Sequence, residues 1–166
     1  MAEQAEAFAA ELVTLGESRE MALEYSGNPA LTRAEAWPEA LAAVADRDRA
    51  RGMTTVGPHR DDLTLRLDGR KLRDYGSTGQ QRSAAIGLRL LEWATLSRAR
   101  GAPPPLLLDD AFAELDAERQ RRLSVRLLSR EGGAGQVLLT APRLEELPPG
   151  LDLPIWTVHA GRVESR

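Results

Sequence analysis

The chain contains no cysteine. Disulfide scaffolds and thiolate metal sites are therefore excluded. It has two histidines, His59 and His159, too few for a histidine-based zinc site without carboxylate help. No run of about 18 apolar residues occurs, so no membrane-spanning helix is expected. The first residues, Met1 to Glu6, are acidic and lack the basic-then-apolar pattern of a secretory signal. Together these absences predict a cytoplasmic protein with no membrane partner. Lysine is nearly missing too. Lys71 is the single one, and the other basic side chains are arginines. A P-loop needs Gly-x-x-x-x-Gly-Lys-Ser/Thr, with the lysine reaching the β- and γ-phosphates of a nucleotide. Lys71 stands in Asp68-Gly69-Arg70-Lys71-Leu72, with no glycine immediately before it and no hydroxyl after it. The chain holds no P-loop.

What is present is enough for one ordinary domain or two small lobes, at 166 residues. A hydrophobic content of 42% beside 28% charged residues is that of a soluble globular protein. The net charge of −3 lacks the whole-chain electrostatic footprint of a DNA binder.

Periodicity places the elements. Ala5, Phe8, Ala9, Leu12 and Leu15 recur at helical spacing and predict a helix over 3–15. Met21 to Tyr25 reads as a short strand, and Ser26-Gly27-Asn28-Pro29 as a turn. Thr32 to Glu35 has capping-box spacing. A helix is expected over 38–51, with Leu41, Val44 and Ala45 inward and Pro38 in its first turn. Its basic end, Arg47, Arg49 and Arg51, reads as a solvated terminus in preference to a DNA patch. Leu63, Leu65 and Leu67 alternate with polar residues, which is a half-buried strand. Asp68-Gly69 is a type I′ hairpin signal. Leu72 and Tyr75 are then expected on the returning strand, with a further strand near Thr54 to Val56. The run Gly57-Pro58-His59-Arg60-Asp61-Asp62 leads into the hairpin and reads as a structural turn with an internal ion pair. The spacing also predicts a long helix over 79–100, with Ala84, Leu88, Leu91 and Thr95 on one stripe, widened by Ile86, Leu90, Trp93 and Ala94. The breakers between Arg98 and Pro105 mark a lobe boundary.

Beyond that boundary, Leu106-Leu107-Leu108 reads as a fully buried parallel strand. It ends in Asp109-Asp110. A helix follows over 117–130, capped by Asp116, with Leu123 and Leu127 inward and the arginines from Arg119 to Arg130 mostly solvated. A glycine-rich turn at 131–135 leads to a second buried strand, 136–140, then to a helical turn at 143–147. A hairpin from Ile155 to Glu164 closes the chain, turning at Ala160-Gly161. Strand, helix and strand predict a parallel α/β core.

Two stretches carry chemistry. Ligands of open α/β sheets bind beyond the carboxyl ends of the strands. Asp109-Asp110 at such an end is either an acid-capped junction or a place for a nucleotide-bound cation. Gly76-Ser77-Thr78-Gly79-Gln80 opens the long helix. Free N–H groups and the positive dipole end make it either a phosphate site or a plain Ser/Thr N-cap.

Three motifs stand in order: a small-residue loop with Gln80-Gln81-Arg82 opening a helix, a strand ending in Asp109-Asp110, and Glu114-Leu115-Asp116 downstream. This order resembles the C-terminal half of an ABC-type ATPase head of the SMC and Rad50 group. With the Gly57 to Asp62 run, it is similar to the RecF family of bacterial DNA repair proteins. The resemblance implies a fold class: α/β, a partial ABC-type P-loop ATPase head, with a helical and hairpin lobe followed by a short parallel α/β segment. Residues 1–102 would form the lobe that carries the signature. Residues 103–166 would form the C-terminal part of the ATPase lobe.

The same resemblance implies residue roles. Gly76, Ser77, Thr78, Gly79 and Gln80 occupy the signature, with Ser77 facing the γ-phosphate of ATP held by the other subunit. Asp109 is the Walker B acid, holding Mg²⁺ through water. Asp110 is the general base, one methylene shorter than the usual Glu. Glu114, Leu115 and Asp116 form the D-loop at the dimer interface. Thr140-Ala141 falls near the switch-histidine position, and neither residue can act as that histidine does. Thr78 departs from the usual glycine of ordinary signatures.

At the level of the whole protein, the family implies a slow Mg²⁺-dependent ATPase. It would form an ATP-dependent homodimer that binds single-stranded or gapped duplex DNA. It would work with recombination mediator proteins to load recombinase. This chain is expected to lack the half that carries the P-loop, whether by truncation, a split gene or a misplaced start. It is expected to be inactive alone and to expose an apolar sheet edge. Two other readings stay open: the head of another ABC ATPase such as a transporter, and a non-enzymatic interaction module.

Overall fold

A computed structural model describes residues 2–28, 31–129, 135–151 and 153–165. The chain divides into two compact units, Met1–Val13 with Glu17–Leu91, and Thr14–Gly16 with Glu92–Arg166.

The first unit builds a core from two helices and a small sheet. Helix α1, Ala2–Thr14, buries Phe8 and Leu12. Strand β1, Met21–Ser26, pairs antiparallel with β2, Asp62–Leu67. Met21 faces Leu67, Leu23 faces Leu65 and Tyr25 faces Leu63. These pairs share one face, because side chains alternate along a strand. Met21 and Leu67 are buried at one end, and Tyr25 and Leu63 are exposed at the other. The face runs out of the core along its length. Asp68 and Gly69 turn the chain with φ of 46° and 76°, the two positive values a type I′ turn requires.

The returning strand is shorter than expected. Strand β3 is only Arg70–Lys71, and Leu72–Tyr75 forms the single turn α3. Leu72 is buried, and its carbonyl accepts the Gly76 N–H at 2.8 Å, so the chain coils instead of extending. Residues 54–56 form no strand. Thr55 is drawn to the preceding helix, donating its N–H (3.0 Å) and hydroxyl (2.6 Å) to Asp48. Those bonds hold the Asp48 carboxyl below its usual range. That helix, α2, is Trp37–Arg51, with proline in its first turn as expected. It buries no residue, and Leu41 is exposed, against the expected inward stripe. A short 3-10 turn at Ala34–Ala36 precedes the helix, with Arg33 at its N-cap position making no side-chain cap bond. Arg49 of the basic end pairs with Asp46 at 2.5 Å on the exposed surface.

Helix α4, Thr78–Arg100, buries Ser83, Ala84, Ile86, Gly87 and Leu90. This stripe lies to one side of the expected one, because small residues let the helix approach α1. A Cβ added at Gly87 would stand 2.8 Å from Leu12 Cδ2 and 3.5 Å from the Phe8 ring. Gly87→Val therefore overpacks this contact and is expected to cost about 1–3 kcal/mol. Urea unfolding checks it, with a lowered midpoint at unchanged slope; an unmoved midpoint would show that the helices do not meet there.

The second unit holds the parallel pair. Strand β4, Leu106–Leu108, aligns with β5, Val137–Leu139, and Leu108 faces Leu139. Trp93 Nε1 donates to the Pro104 carbonyl at 2.7 Å and fixes the approach to β4. Leu106 and Leu108 are buried, but Leu107 is 71% exposed. The strand is thus covered on one face only, not on both. Helix α5, Ala117–Leu128, buries Leu123 fully, while Leu127 is half-buried. Its surface carries Glu118 bonded to Arg121 and Arg122, which hold that carboxyl down to about 2. A 3-10 turn spans Leu144–Glu146. The closing hairpin pairs β6, Trp156–His159, with β7, Arg162–Ser165. Most of the expected glycine-rich turn at 131–135, and Pro29 of the turn at 26–29, lie outside the described residues. No helix among the described residues is long and apolar enough to cross a membrane.

Candidate nucleotide half-sites

The segment Gly76 to Gln80 sits at the start of α4. Gly76 is glycine for a physical reason: a Cβ there would lie 2.4 Å from Leu72 Cδ1 and 2.8 Å from the Leu72 carbonyl oxygen. Ser77 and Gln80 form a reciprocal capping box. The Gln80 N–H donates to Ser77 Oγ at 3.2 Å, and the Ser77 N–H donates to Gln80 Oε1 at 3.0 Å. Gln81 Nε2 donates to the Gly76 carbonyl at 3.0 Å and ties the loop down. Ser77 and Thr78 remain exposed, and Gly79 and Gln80 half-exposed. The N-cap is thus real. It does not exclude an anion, because the Ser77 hydroxyl accepts in the cap and keeps its own proton to donate.

The acidic segment sits at the C-terminal end of β4. Thr140, one residue past β5, lies beside it. The Thr140 hydroxyl hydrogen-bonds to Asp109 Oδ1. The Asp110 N–H donates to both Thr140 Oγ1 (3.1 Å) and the Thr140 carbonyl (3.2 Å). The Thr140 N–H donates to the Leu108 carbonyl at 3.0 Å. Asp110 has a φ of +51°, in the left-handed region that aspartate tolerates better than most residues. The chain therefore turns sharply after Asp109. Among the described residues no three His, Asp or Glu side chains cluster as a metal cage. A single carboxylate nevertheless suits Mg²⁺, which is commonly held by one or two carboxylates plus substrate phosphates and water.

The segment from Ala111 to Asp116 follows as a tight turn. Glu114 is exposed with φ of +62°, and Leu115 is buried. The Asp116 side chain caps α5, accepting the Arg119 N–H at 2.8 Å and pairing with Arg119 Nη1 at 2.8 Å. Gln120 Nε2 donates to the Phe112 carbonyl at 3.0 Å and braces the turn. Neither Gln120 nor the bonding of Thr140 was expected from sequence. The parallel register could have found Thr140: with Leu108 opposite Leu139, residue 140 must lie beside residue 109.

The Gly57 to Asp62 run also closes on itself. The Thr54 carbonyl accepts from Arg60 Nε (3.2 Å) and Nη2 (2.9 Å) and lies 3.0 Å from His59 Nε2. The Tyr25 hydroxyl bonds to Asp61, which raises the tyrosine pKa. This is a tied structural turn, but its cross-links run to Thr54 and Tyr25 in place of an internal ion pair.

With this geometry in hand, relatives can be compared. The DNA replication and repair protein RecF of Anaeromyxobacter sp. is 44% identical over 130 residues, covering 78% of this chain and 35% of that protein. RecF of Frankia alni is 44% identical over 133 residues, covering 78% of this chain and 34% of that protein. The chain resembles the C-terminal half of RecF. It spans about a third of the length of these curated relatives. No family model matches it. Among solved structures, the recombination mediator protein RecF with ATP, in the RecFOR pathway, aligns over 99% of this chain and 44% of its own, with a TM-score of 0.65 and 23% identity. An SMC head bound to the C-terminal winged-helix domain of ScpA aligns over 98% and 41%, with a TM-score of 0.59 and 14% identity. The fold is that of part of an ABC-type ATPase head, as the RecF-like order of motifs implied.

Proposed function

We propose that this chain is the portion of a RecF-like DNA repair ATPase that contributes to two nucleotide sites. Asp109 and Asp110 serve the ATP bound by its own head. Ser77 and the N-terminus of α4 serve the ATP of a second head. The observation that carries this reading is the pairing of two unlike half-sites on one RecF-like chain. One is an acidic pair at the end of a parallel strand, and the other is an exposed hydroxyl-bearing helix N-terminus.

In this reading Asp109 would hold Mg²⁺, and the cation would supply charge neutralisation for the phosphates. Asp110 takes a proton from the attacking water as general base. Ser77 Oγ and the first N–H groups of α4 donate to the γ-phosphate of the second head. Glu114 and Asp116 line the contact between heads, with Leu115 buried behind them as its support. ATP thereby joins two copies of the head. The dimer binds single-stranded or gapped duplex DNA and acts with recombination mediator proteins to load recombinase. Hydrolysis is slow, and the chain by itself is not an ATPase, because the phosphate cradle of a P-loop is absent.

Complementation tests this. The isolated chain is expected to bind Mg-ATP weakly or not at all by titration calorimetry. Mixed with the P-loop-bearing N-terminal part of a RecF relative, it should assemble and then dimerise on addition of Mg-ATP, seen by light scattering. Tight Mg-ATP binding by the isolated chain, or no nucleotide response from the mixture, would count against the proposal.

A further inference from the structure

The resemblance places Thr140-Ala141 near the switch histidine of ABC heads, and Thr140, having no imidazole, cannot act as that histidine does. Its bonds point elsewhere, to both acids of the neighbouring strand. A hydroxyl offers one proton and two lone pairs. Here the proton goes to Asp109 Oδ1, and a lone pair takes the Asp110 N–H at 3.1 Å. The Thr140 carbonyl takes the same N–H at 3.2 Å. One residue at the end of β5 therefore touches both acids at the end of β4.

We propose that Thr140 is a positioning residue that sets the Asp109 carboxylate for the cation and pins Asp110 in its left-handed conformation. The proposal rests on the reading of Asp109 as the Mg²⁺ acid. Two physical points support it. A carboxylate at a strand end can rotate about its side-chain torsions, and a hydrogen bond to one oxygen restricts that freedom. A non-glycine residue at φ of +51° also persists only where its surroundings hold it. The N–H of Asp110, bonded twice to Thr140, supplies that hold. Loss of such an outer partner of a metal-bound carboxylate typically lowers metal affinity about 10–100-fold.

The test uses the head assembled from this chain and the P-loop-bearing part, in three forms: unchanged, Thr140→Val and Thr140→Ser. Valine keeps the shape and removes the hydroxyl. Serine restores it. Mn²⁺ is the probe, its binding to the ATP-loaded head read by electron paramagnetic resonance, with exchange of the Asp110 amide read by NMR on the chain. Thr140→Val should weaken Mn²⁺ binding about 10-fold and speed Asp110 amide exchange. ATP binding without metal and the melting temperature should stay as they are, and Thr140→Ser should recover both readouts. Unchanged Mn²⁺ affinity in a folded Thr140→Val head overturns the proposal. So does a Thr140→Ser variant that behaves like valine, since the hydroxyl would then not be the cause. If the unchanged head takes up no Mn²⁺ with ATP, the nucleotide reading of Asp109 itself falls, a result distinct from the other two.

Discussion

Ser77→Asp is expected to leave the fold of the chain intact and to abolish ATP-driven association of the assembled heads. The substitution separates the two meanings of one residue. As an N-cap, aspartate is as good as serine. Its carboxylate can accept the Gln80 N–H that Ser77 Oγ accepts at 3.2 Å. A negative charge at a helix N-terminus also complements the dipole. If capping were all that Ser77 does, the variant would be as stable as the original or slightly more so, and association would be unaffected. If Ser77 faces the γ-phosphate of a second head, the variant loses the hydroxyl proton and sets a carboxylate against an anion. Loss of one preorganised donor to an anion is felt at about 100-fold, and repulsion adds to that. Dimerisation with Mg-ATP should therefore weaken by at least about 100-fold, roughly 2.7 kcal/mol. Nucleotide binding within each head should be spared, since its phosphates are held by the P-loop half. Sedimentation of the assembled head with and without Mg-ATP reads the first quantity, and calorimetry the second. Normal dimerisation by a folded Ser77→Asp head would leave Ser77 as a cap alone.

The two candidate half-sites were legible in sequence to different depths. Asp109-Asp110 could be placed because three leucines after a proline run can be little else than a short strand, and the acids mark its end. The parallel pairing followed from strand, helix and strand. What the pattern could not show was coverage. Leu107 has the same side chain as Leu106 and Leu108 and yet lies open, because burial depends on what packs above the sheet, not on the strand. The expected burial of helix α2 failed for the same reason: Leu41, Val44 and Ala45 have helical spacing, but Leu41 is exposed and Val44 and Ala45 are only half-buried. The hairpin turn was readable from Asp68-Gly69 alone, while its return was not. Leu72 coils into the core after two paired residues, and a tertiary contact of that kind leaves no periodic trace. At Ser77 only a plain N-cap was legible in sequence, not a capping box with Gln80. The reciprocity of that box required coordinates. Thr140 illustrates the remaining gap. In sequence it was judged by the histidine it is not, and in the structure by the two carboxyl-bearing residues it touches.

Asp110→Asn carries the largest effect expected on chemistry. The backbone at this position sits in the left-handed region, which asparagine tolerates at least as well as aspartate. The bonds from the Asp110 N–H to the Thr140 hydroxyl and carbonyl involve no atom of the Asp110 side chain, so they survive the change. The substitution therefore removes basicity while leaving the turn in place. Alanine would be a poorer test, since it adds backbone strain to the loss. A general base contributes typically 10²–10⁴-fold to a rate, so hydrolysis by the assembled head should fall by about 100-fold or more. Association driven by Mg-ATP should persist, and last longer, because the nucleotide that joins the heads is no longer consumed. The pair of outcomes matters more than either alone. Slow hydrolysis with stable dimers identifies Asp110 as the base acting on water at a site that otherwise stays complete. Slow hydrolysis with lost dimers would mean that the turn itself had failed, which amide exchange at Asp110 would report directly. Unchanged hydrolysis would remove Asp110 from the chemistry and return the strand end to its plainer meaning, an acidic junction between β4 and the turn that leads into α5.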